Sequence, residues 1–404
     1  MKLNVYSEIG KLKTVLLHRP GKELENLTPM ILEKLLFDDI PYLKVAQEEH
    51  DAFADVLRKE GVEVLYITDM VATALESNPH IIDGFIEQFI DEAHVKSKSV
   101  RTALFNFLKS LSPKEMVEKM IEGIRTHDVK IRNRSSIMDM LEDEYPFFTD
   151  PMPNILFQRD PFATIGNGVA INKMYTETRR RETIFSDYMF KYHPRFKDSL
   201  IPKYYQRDYR YHMEGGDVLV LNKDTLAIGI SKRTDPRAIQ HIAENLYEKD
   251  ESFKTILAFN IPKTRAFMHL DTVFTQLDHN KFAIHPGIMK KLTIFEITKG
   301  KEEIHVEKVI TTLEEILQKH LKTEVELIHC GGSDVVHSER EQWNDGANTL
   351  AVEPGKVIVY SRNHITNALF KEKGVKVIEI PSSELSRGRG GPRCMSMPLI
   401  REDI

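Results

Sequence analysis

The feature that most constrains the fold of this chain is a recurring pair of short apolar runs separated by a polar turn. The pattern occurs four times, at residues 162–172, 218–231, 273–286 and 349–362. The turns contain Asn-Gly, Pro-Gly or neighbouring Asp and Asn residues, which favour tight connections between antiparallel strands. Each of these segments therefore predicts a β-hairpin.

A helical pattern follows the hairpins, directly or after a spacer, and a further strand leads onward. The helices are predicted at 237–247, 313–321 and 366–371, and the strands at 255–259, 324–328 and 375–380. The N-terminal segment fits the same scheme, with a strand at 14–17, a helix at 45–59 and a strand at 62–67. The predicted fold class is therefore α/β, with five strand–helix units that close into a ring to protect their edges.

Residues 72–148 interrupt this repeat because their apolar residues follow helical spacing. Stripes at 81–90 and 100–111 recur with a period of about 3.6 residues. Ser112, Pro113 and Glu115 have the pattern of a capping box that starts another helix. We therefore predict an inserted helical bundle domain at 72–148, with its Phe and Met side chains as its own core. Residues 1–71 and 149–404 would form the principal α/β domain.

The composition excludes several classes of protein. The net charge is −5, so the chain has no excess of positive charge for nucleic acid or a membrane surface. The N-terminus lacks the apolar stretch of a signal peptide, and no run of about 18 apolar residues predicts a membrane span. Only two cysteines occur, Cys330 and Cys394, too few for a disulfide scaffold or a CxxC metal site. We expect a cytoplasmic protein with reduced thiols, and a homo-oligomer whose size the sequence does not specify.

Acidic residues and a histidine stand at the entries to the hairpins, and a thiol follows the last basic loop. These residues are Asp160, Glu214, His269, Asp271 and Cys394, the last at the end of the glycine-rich loop 387–394. In a ring of similar units, equivalent strand ends converge on the axis, so these side chains would share one pocket. Three carboxylates offer only acceptors and require a cationic ligand. A planar guanidinium has five N–H donors that match two carboxylates, and its carbon is the atom that a thiolate would attack.

Longer motifs around these residues resemble a known family. FQRD, HMEGGD, MHLDT and GRGGPRCMSMPL are similar to the guanidine-modifying superfamily. PMPNILFQRDPFATIGNGVAIN, TRRRET, LTPMILEKLLFDDIPYLKVAQEEHD and the helical insert resemble its arginine deiminase branch. The resemblance covers the whole chain and implies a five-bladed α/β propeller with pseudo-fivefold symmetry and an inserted helical bundle. It also implies hydrolysis of free L-arginine to L-citrulline and ammonia, with no cofactor and no metal.

The resemblance implies roles for individual residues, all by motif. Cys394 would be the nucleophile that forms an S-alkylthiouronium intermediate, and His269 the general acid and base. Glu214 would hold the guanidinium and assist proton transfer, while Asp160 and Asp271 grip its nitrogens. The other residues that match the family's motifs would bind substrate. Arg179 and Arg233 would bind its α-carboxylate. Further pocket residues would be Asn154, Phe157, Leu36 and Arg389, and the last two would belong to a mobile gate.

Other interpretations remain open at this stage. The chain could be another guanidine-modifying enzyme, such as an agmatine deiminase, a dimethylarginine hydrolase or an amidinotransferase. It could also be a non-catalytic arginine-binding protein, although the intact catalytic motifs argue against this. Cys330 is expected to be structural, and Asp217 is equally consistent with a turn and with a site role. Arg180 and Arg181 are expected to form ion pairs or face solvent.

The activation of the thiol has two possible schemes. His269 and Cys394 could form a standing ion pair, or the thiol could stay neutral until a guanidinium binds. We favour the second scheme because the pocket carboxylates and burial both raise a thiol pKa. Arg389 and Arg393 could oppose it by stabilising thiolate, but their glycine-rich loop predicts that both are mobile without substrate.

Overall fold

The predicted hairpins are all present in the computed structural model, which describes residues 1–131, 145–249, 251–289, 292–301 and 303–404. Each hairpin is an antiparallel pair of strands. The pairs are Phe162–Ile165 with Gly168–Ile171, Val218–Asn222 with Thr225–Ile230, Phe274–Gln276 with Lys281–Ile284, and Leu350–Glu353 with Lys356–Tyr360. The alternation of apolar runs and turn residues was therefore sufficient to locate them.

A third strand joins the second strand of every hairpin in parallel. These strands are Lys203–Tyr205, Thr255–Asn260, Glu326–His329 and Lys376–Ile380. Helices Glu182–Tyr192, Pro236–Glu248, Leu313–Leu321 and His364–Glu372 lie in the connections between the hairpins and these strands. Each unit thus contains a hairpin, a helix and a further strand in the predicted order. The parallel pairing of that strand was not predicted, nor were the helix Glu182–Tyr192 and the strand Lys203–Tyr205 of the first unit.

The fifth unit is formed by both ends of the chain. Strand Leu12–Leu17 pairs in parallel with Glu63–Tyr66, and helix Leu43–Lys59 lies between them in sequence. The last strand, Met397–Arg401, pairs antiparallel with Leu12–Leu17 and completes a three-stranded sheet. The segment that carries Cys394 is therefore held beside the N-terminal strand.

One addition was not predicted from the sequence. Strands Thr293–Lys299 and Ile304–Lys308 extend the sheet of the hairpin Val218–Ile230, because the first of them pairs antiparallel with Thr255–Asn260. The remaining short elements are the helices Leu32–Leu35, Pro286–Met289 and Val335–Trp343, and the one-turn 3₁₀ helices Pro79–Ile81, Pro153–Leu156, Glu177–Arg179, Gly215–Asp217, Leu270–Thr272 and Leu385–Gly388. The architecture is mixed α/β.

Helices occupy the described part of the predicted insert. Their bounds are Ile67–Glu76, Ile82–Glu92, Lys98–Lys109 and Pro113–Glu122, followed by short strands Ile124–Arg125 and Phe147–Thr149. Ser112 caps the fourth helix, and Glu115 closes the predicted capping box. The first helix begins at Ile67, so the preceding strand ends earlier than predicted. Residues 132–144 of the predicted insert lie outside the described residues.

The core of these helices differs from the expectation. The predicted separate Phe and Met core is wrong, because Phe85 packs edge-on against Phe185 and Tyr188 of the helix Glu182–Tyr192. One hydrophobic cluster runs from the helices into the hairpin that begins at Phe162. A helical stripe identifies the buried face of a helix but not the surface that covers it, which explains the error.

No helix in the described ranges is long and apolar enough to cross a membrane.

Candidate active site

The five candidate catalytic residues lie just before strands of different sheets. Asp160 precedes Phe162–Ile165, Glu214 precedes Val218–Asn222, His269 and Asp271 precede Phe274–Gln276, and Cys394 precedes Met397–Arg401. All five side chains are buried. One-turn 3₁₀ helices begin directly after Glu214 and His269, and both residues have extended backbone conformation. The same local backbone geometry therefore positions site side chains that come from separate units.

These side chains meet in one cluster. The Nε2 atom of His269 is 2.8 Å from Oε2 of Glu214, and its Nδ1 atom is 3.7 Å from Oδ1 of Asp160. The thiol of Cys394 lies 3.7 Å from Oδ2 of Asp271. The structure therefore brings together all five residues that the sequence singled out, a thiol, an imidazole and three carboxylates.

The two glycines of the HMEGGD motif permit this close approach. A Cβ atom on Gly216 would lie 2.7 Å from the His269 ring, and one on Gly215 would lie 2.0 Å from the carbonyl oxygen of Arg159. Both distances are shorter than van der Waals contact. Glycine is required here because backbone from one hairpin packs directly on the site residues of two others.

Asp217 is a positioning residue of the pocket. Its carboxylate accepts hydrogen bonds from the backbone N–H of Leu270 at 2.8 Å and from the hydroxyls of Ser231 and Thr234 at 2.7 and 2.6 Å. Burial raises its pKa to about 6 against the opposing effects of His269 and these hydrogen bonds. Asp217 thus fixes the segment that carries His269, which resolves the open question about its role in favour of the site's framework.

Asn348 fixes the backbone of Cys394, and the sequence analysis missed it. Its side-chain oxygen accepts from the Cys394 N–H at 3.0 Å, and its amide group donates to the carbonyl of Asp271 at 3.0 Å. Its position could have identified it, because Asn348 precedes the hairpin strand Leu350–Glu353 in the same way that Asp160 precedes the hairpin strand Phe162–Ile165. An amide there bridges the nucleophile segment and the carboxylate segment.

Arg393, which the sequence predicts to be mobile without substrate, lies in a buried network of ion pairs and hydrogen bonds. Its guanidinium donates to Glu8 at 2.9 Å, to Asp271 at 2.8 Å and to the carbonyl of Val218 at 2.8 Å, and it is fully buried. Burial alone would raise the pKa of Glu8, but Arg393 and Arg159 outweigh it and lower that pKa to about 2. The positive charge of Arg393 is therefore committed to two carboxylates and not to the thiol.

Arg179 is also committed to carboxylates. It donates to Asp160 at 2.9 Å and to Glu182 at 2.8 Å, and its Nη1 atom is 3.6 Å from Glu214. Arg233 lies 3.1 Å from the same Glu214 oxygen. The expectation of a pocket with acceptors only is therefore wrong, because buried arginines already counter part of its negative charge. Glu182 was missed since nothing in TRRRET separates a buried glutamate from a solvated one.

Two carboxylate oxygens nevertheless keep no partner. Oδ1 of Asp160 and Oδ1 of Asp271 are buried and have no hydrogen-bond partner among the described residues. The His269 nitrogen at 3.7 Å from Asp160 is too distant for a hydrogen bond. A buried acceptor without a donor costs about 1–3 kcal/mol, so a ligand with N–H donors would be favoured at both atoms.

The titration of the central pair follows from these charges. Burial lowers the pKa of His269, but the carboxylates of Asp160, Glu214 and Asp217 outweigh burial and raise it to about 9. The pKa of Cys394 is raised well above its ordinary value by burial, then by Asp271 and Asp160, while Arg393 opposes the shift. Near neutral pH the imidazole is therefore protonated and the thiol is neutral.

The remaining predicted pocket residues come from three segments that contact one another: Asn154 and Phe157 from residues 153–157, Leu36 from residues 36–39, and Arg389 from residues 385–391. Phe157 stacks on Phe37 with ring centroids 6.4 Å apart, and the amide of Asn154 donates to the carbonyl of Leu35. Leu36 and Arg389 both have a left-handed backbone with φ of 58°. An ion pair between Arg387 and Asp39 joins the last two of these segments. We call residues 36–39 and 385–391 the cover segments.

Hydrogen bonds hold the second cover segment at both ends. The buried carboxylate of Glu49 accepts from the N–H groups of Glu384 and Leu385 at 3.0 and 2.9 Å. The hydroxyl of Tyr360 donates to the carbonyl of Gly390 at 2.7 Å. The Arg389 side chain is also buried. The second cover segment is therefore anchored by hydrogen bonds on both sides of Arg389.

The residues outside the cluster follow their expected roles in part. Cys330 is buried, and desolvation raises its pKa to about 12. Arg180 is half-buried and pairs with Glu177. Arg181 is instead buried, donates to the carbonyl of Asp150 and lies over the ring of Phe89.

A metal ion would compete with an arginine for the same atoms. Ligand atoms of Asp160, Glu214 and His269 lie within 4.8 Å of one another. The guanidinium of Arg179 contacts both carboxylates, and His269 is protonated near neutral pH, whereas a metal ligand must be neutral imidazole. The donor set therefore suits an organic cation better than a metal.

Solved structures of other proteins share the fold of this chain. An amidinotransferase of the saxitoxin biosynthetic pathway from Microseira wollei matches with a TM-score of 0.54 at 16% identity, covering 100% of this chain and 98% of its own. The dimethylarginine dimethylaminohydrolase of Pseudomonas aeruginosa, solved with citrulline, matches with a TM-score of 0.51 at 16% identity, covering 96% and 99%. The chain has the mixed α/β fold of these enzymes.

Sequence comparison assigns the family within that class. The family model described as arginine deiminase matches residues 33–401. The arginine deiminase of Clostridium perfringens (strain SM101) is 57% identical over 408 residues, covering 100% of this chain and 98% of that protein. This chain belongs to the arginine deiminase family.

Gly216→Ala tests the close packing on His269. A methyl group 2.7 Å from the imidazole moves the ring away from Glu214 and Asp160. Burial then outweighs the weakened attraction to the carboxylates, so the pKa of His269 falls from about 9. NMR titration of the histidine ring protons measures this change. Gly84→Ala is the matched control, because its Cβ would meet only the Tyr188 hydroxyl at 3.9 Å. An unchanged His269 titration in Gly216→Ala would contradict the packing argument.

Proposed function

We propose that this arginine deiminase hydrolyses L-arginine to L-citrulline and ammonia with Cys394 as its nucleophile. The deiminase activity follows from the family to which the chain belongs. The observation that carries the assignment of the site is the pair of unpartnered carboxylate oxygens, Oδ1 of Asp160 and Oδ1 of Asp271. They belong to a cluster that also contains the thiol, and a substrate guanidinium supplies the N–H donors that they lack.

The reaction proceeds in two halves. In the first, the Cys394 thiol loses its proton to solvent as the guanidinium binds, Sγ bonds to the guanidinium carbon, and one terminal C–N bond breaks. The nitrogen leaves as ammonia with a proton from His269, which is protonated near neutral pH. The substrate remains attached as an S-alkylthiouronium. In the second half, His269 removes one proton from water and the water oxygen attacks the same carbon. The C–S bond then breaks, and the remaining hydroxyl proton passes to the departing sulfur, which releases citrulline and regenerates the Cys394 thiol.

Glu214 couples the substrate to this proton transfer. One of its oxygens accepts from His269 at 2.8 Å and lies 3.1 and 3.6 Å from the Nη1 atoms of Arg233 and Arg179. Burial raises the pKa of Glu214, but these three cations outweigh it and lower the pKa strongly. Glu214 therefore stays ionised, and it stabilises the imidazolium before the proton moves.

The thiol is activated by the substrate in this mechanism. Burial and two aspartates hold the Cys394 pKa high before substrate binds. A guanidinium in contact with Asp160 and Asp271 neutralises these charges and adds a positive charge beside the sulfur, which favours thiolate. Arg393 does not replace this effect, because Glu8 and Asp271 already pair with it.

Arg179 and Arg233 are proposed to bind the α-carboxylate of arginine, as the resemblance implies. Arg233 can bind the substrate carboxylate with less rearrangement than Arg179, because its described ion pair is with Glu214 alone. The Arg179 guanidinium donates to Asp160 and Glu182, so it has to exchange one of these contacts when substrate binds. Asn154, Phe157 and Leu36 would line the pocket between the cover segments and the carboxylates.

The repeated units support a five-bladed propeller with pseudo-fivefold symmetry. Five sheets contain the same parallel strand pair and antiparallel neighbour. The residues before the first hairpin strands contact one another, as they would at the axis of a ring. We also propose that 72–148 is an inserted helical domain within a catalytic domain formed by 1–71 and 149–404, and that the enzyme is a cytoplasmic homo-oligomer without a cofactor.

Replacement of the nucleophile tests the mechanism most directly. Cys394→Ser should abolish citrulline formation while L-arginine still binds, because Asp160 and Asp271 remain. A colorimetric citrulline assay and calorimetric titration with arginine measure the two properties. Cys330→Ser is the matched control and should retain activity, since this buried thiol lies in a different hydrophobic cluster. Near-normal turnover by Cys394→Ser would exclude a covalent cysteine mechanism.

The pH dependence of the free thiol distinguishes the two activation schemes. In Cys330→Ser protein without ligand, the alkylation rate of Cys394 should keep rising above pH of about 8.5, the ordinary thiol pKa, because burial and the aspartates favour the neutral form. Thiolate absorbance gives the same titration independently. A free-enzyme pKa well below the ordinary value would support the standing ion pair with His269 and exclude activation by substrate.

Arg233→Leu tests recognition of the α-carboxylate. Loss of a charge-assisted hydrogen bond of about 1.5–3 kcal/mol should raise KM for arginine roughly 10- to 150-fold. Agmatine, which lacks the carboxylate, should be affected much less, so the ratio of kcat/KM for the two substrates is measured. Lys232→Leu is the neighbouring control and should leave the ratio unchanged because Lys232 is exposed. An equal loss toward both substrates would contradict this role for Arg233.

A further inference from the structure

The single tryptophan of the protein contacts the arginine of the second cover segment. Trp343 is the last residue of the helix Val335–Trp343, and 46% of it is exposed. The Cζ atom of Arg389 lies 3.6 Å from the centroid of the Trp343 ring. At this distance the planar guanidinium is stacked on the indole face, an arrangement that attracts through the ring quadrupole.

No hydrogen bond accompanies this stacking. The Nε, Nη1 and Nη2 atoms of Arg389 are all buried, and none has a hydrogen-bond partner in the described part of the chain. The nearest opposite charge in an ion pair is Oδ2 of Asp38, 3.9 Å from Nη1. The Arg389 backbone is also left-handed, with φ of 58°, which is unusual for a residue other than glycine. The stack with Trp343 is thus the closest described interaction of this guanidinium.

The face of the guanidinium is occupied while its edge is free. Stacking uses the π surface of the group and leaves its N–H donors in the plane. Buried donors without acceptors are unfavourable, and a carboxylate can satisfy two of them at once in a planar bidentate contact. The geometry therefore suits an anionic group that arrives from the pocket side.

The buried carboxylate of Asp345 shows why the orientation of the Arg389 guanidinium matters. Both carboxylate oxygens of Asp345 are buried without a partner among the described residues. Burial raises the pKa of Asp345 to about 7, and Arg389 is the largest charge that opposes this rise. Asp345 is therefore a competing acceptor close to Arg389. A guanidinium free to rotate would turn its donors to Asp345, whereas the stack on Trp343 keeps the edge available.

We propose that Trp343 is a positioning residue that holds the Arg389 guanidinium by its face, so that its free edge binds the α-carboxylate of the incoming substrate alongside Arg179 and Arg233. The proposal rests on the proposed function for the identity of that anion. It adds Trp343, outside the motifs that carry the chemistry, to the determinants of selectivity for arginine over its decarboxylated analogue.

The stack can be tested without any substrate. Because Trp343 is the only tryptophan, intrinsic fluorescence reports on its environment alone. Arg389→Leu should change the emission maximum and increase quenching by acrylamide relative to wild type, since the guanidinium no longer covers the ring face. Arg265→Leu is the control, because this exposed arginine pairs with Asp38 from outside the stack. Identical emission and quenching in wild type and Arg389→Leu would overturn the proposed contact.

Steady-state kinetics then test the role in selectivity. Trp343→Leu should raise KM for arginine roughly 3- to 30-fold, as expected for loss of a cation–π contact. Turnover at saturation and KM for agmatine should change little, and Trp343→Phe should restore most of the selectivity. Val336→Ala, an exposed position on the same helix, is the control. Equal losses toward arginine and agmatine would indicate a general structural effect and overturn the proposal.

The two experiments separate failure of this inference from failure of the proposed function. If wild type releases no ammonia from arginine, the proposed function fails, and the selectivity role of Trp343 fails with it. If wild type is active and prefers arginine to agmatine, but Trp343→Leu keeps that preference, the inference alone is wrong. Thermal melting of each variant verifies that the compared proteins are folded.

Discussion

The structure depends on a buried network of alternating carboxylates and guanidinium groups. Arg393 joins Glu8 of the N-terminal segment to Asp271, while Arg179 joins Asp160 to Glu182 and Glu214. Removing one partner of such a pair leaves an uncompensated buried charge, which costs about 3–5 kcal/mol. Segments from distant parts of the chain are therefore held at the pocket by electrostatics as well as by packing. Burial alone would raise the pKa values of Glu8 and Glu214, but the cations of this network outweigh burial and lower both.

The chemistry of the pocket follows from where this network is incomplete. Each arginine occupies one side of its aspartate, and Oδ1 of Asp160 and Oδ1 of Asp271 remain without donors. A site with all its charges paired would bind nothing, and one with three free carboxylates would hold any cation. Because the arginines neutralise the carboxylates only in part, two carboxylate oxygens with fixed positions still lack N–H donors. This combination favours a planar guanidinium over a spherical ion.

Local sequence signals predicted the local elements well and the long-range pairings poorly. The Gly166–Gly168 turn identifies its hairpin because the preference for that turn resides in its own residues. The cluster of His269 with Glu214 was also accessible, since both precede hairpins of similar pattern. Glu8 was missed because its partner Arg393 is 385 residues away, and no periodicity relates the two. Trp343 was missed for the same reason, since its helix belongs to none of the predicted units.

The pairing of strands that are remote in sequence has a consequence for the order in which the site forms. Strand Leu12–Leu17 is synthesised long before its antiparallel partner Met397–Arg401. Cys394 lies three residues before that partner, and its neighbours Asn348 and Asp271 belong to units that are synthesised earlier. The thiol can therefore join the carboxylates only after the strand Met397–Arg401 has left the ribosome. A nascent chain that has folded only its earlier units has the carboxylates but not the thiol.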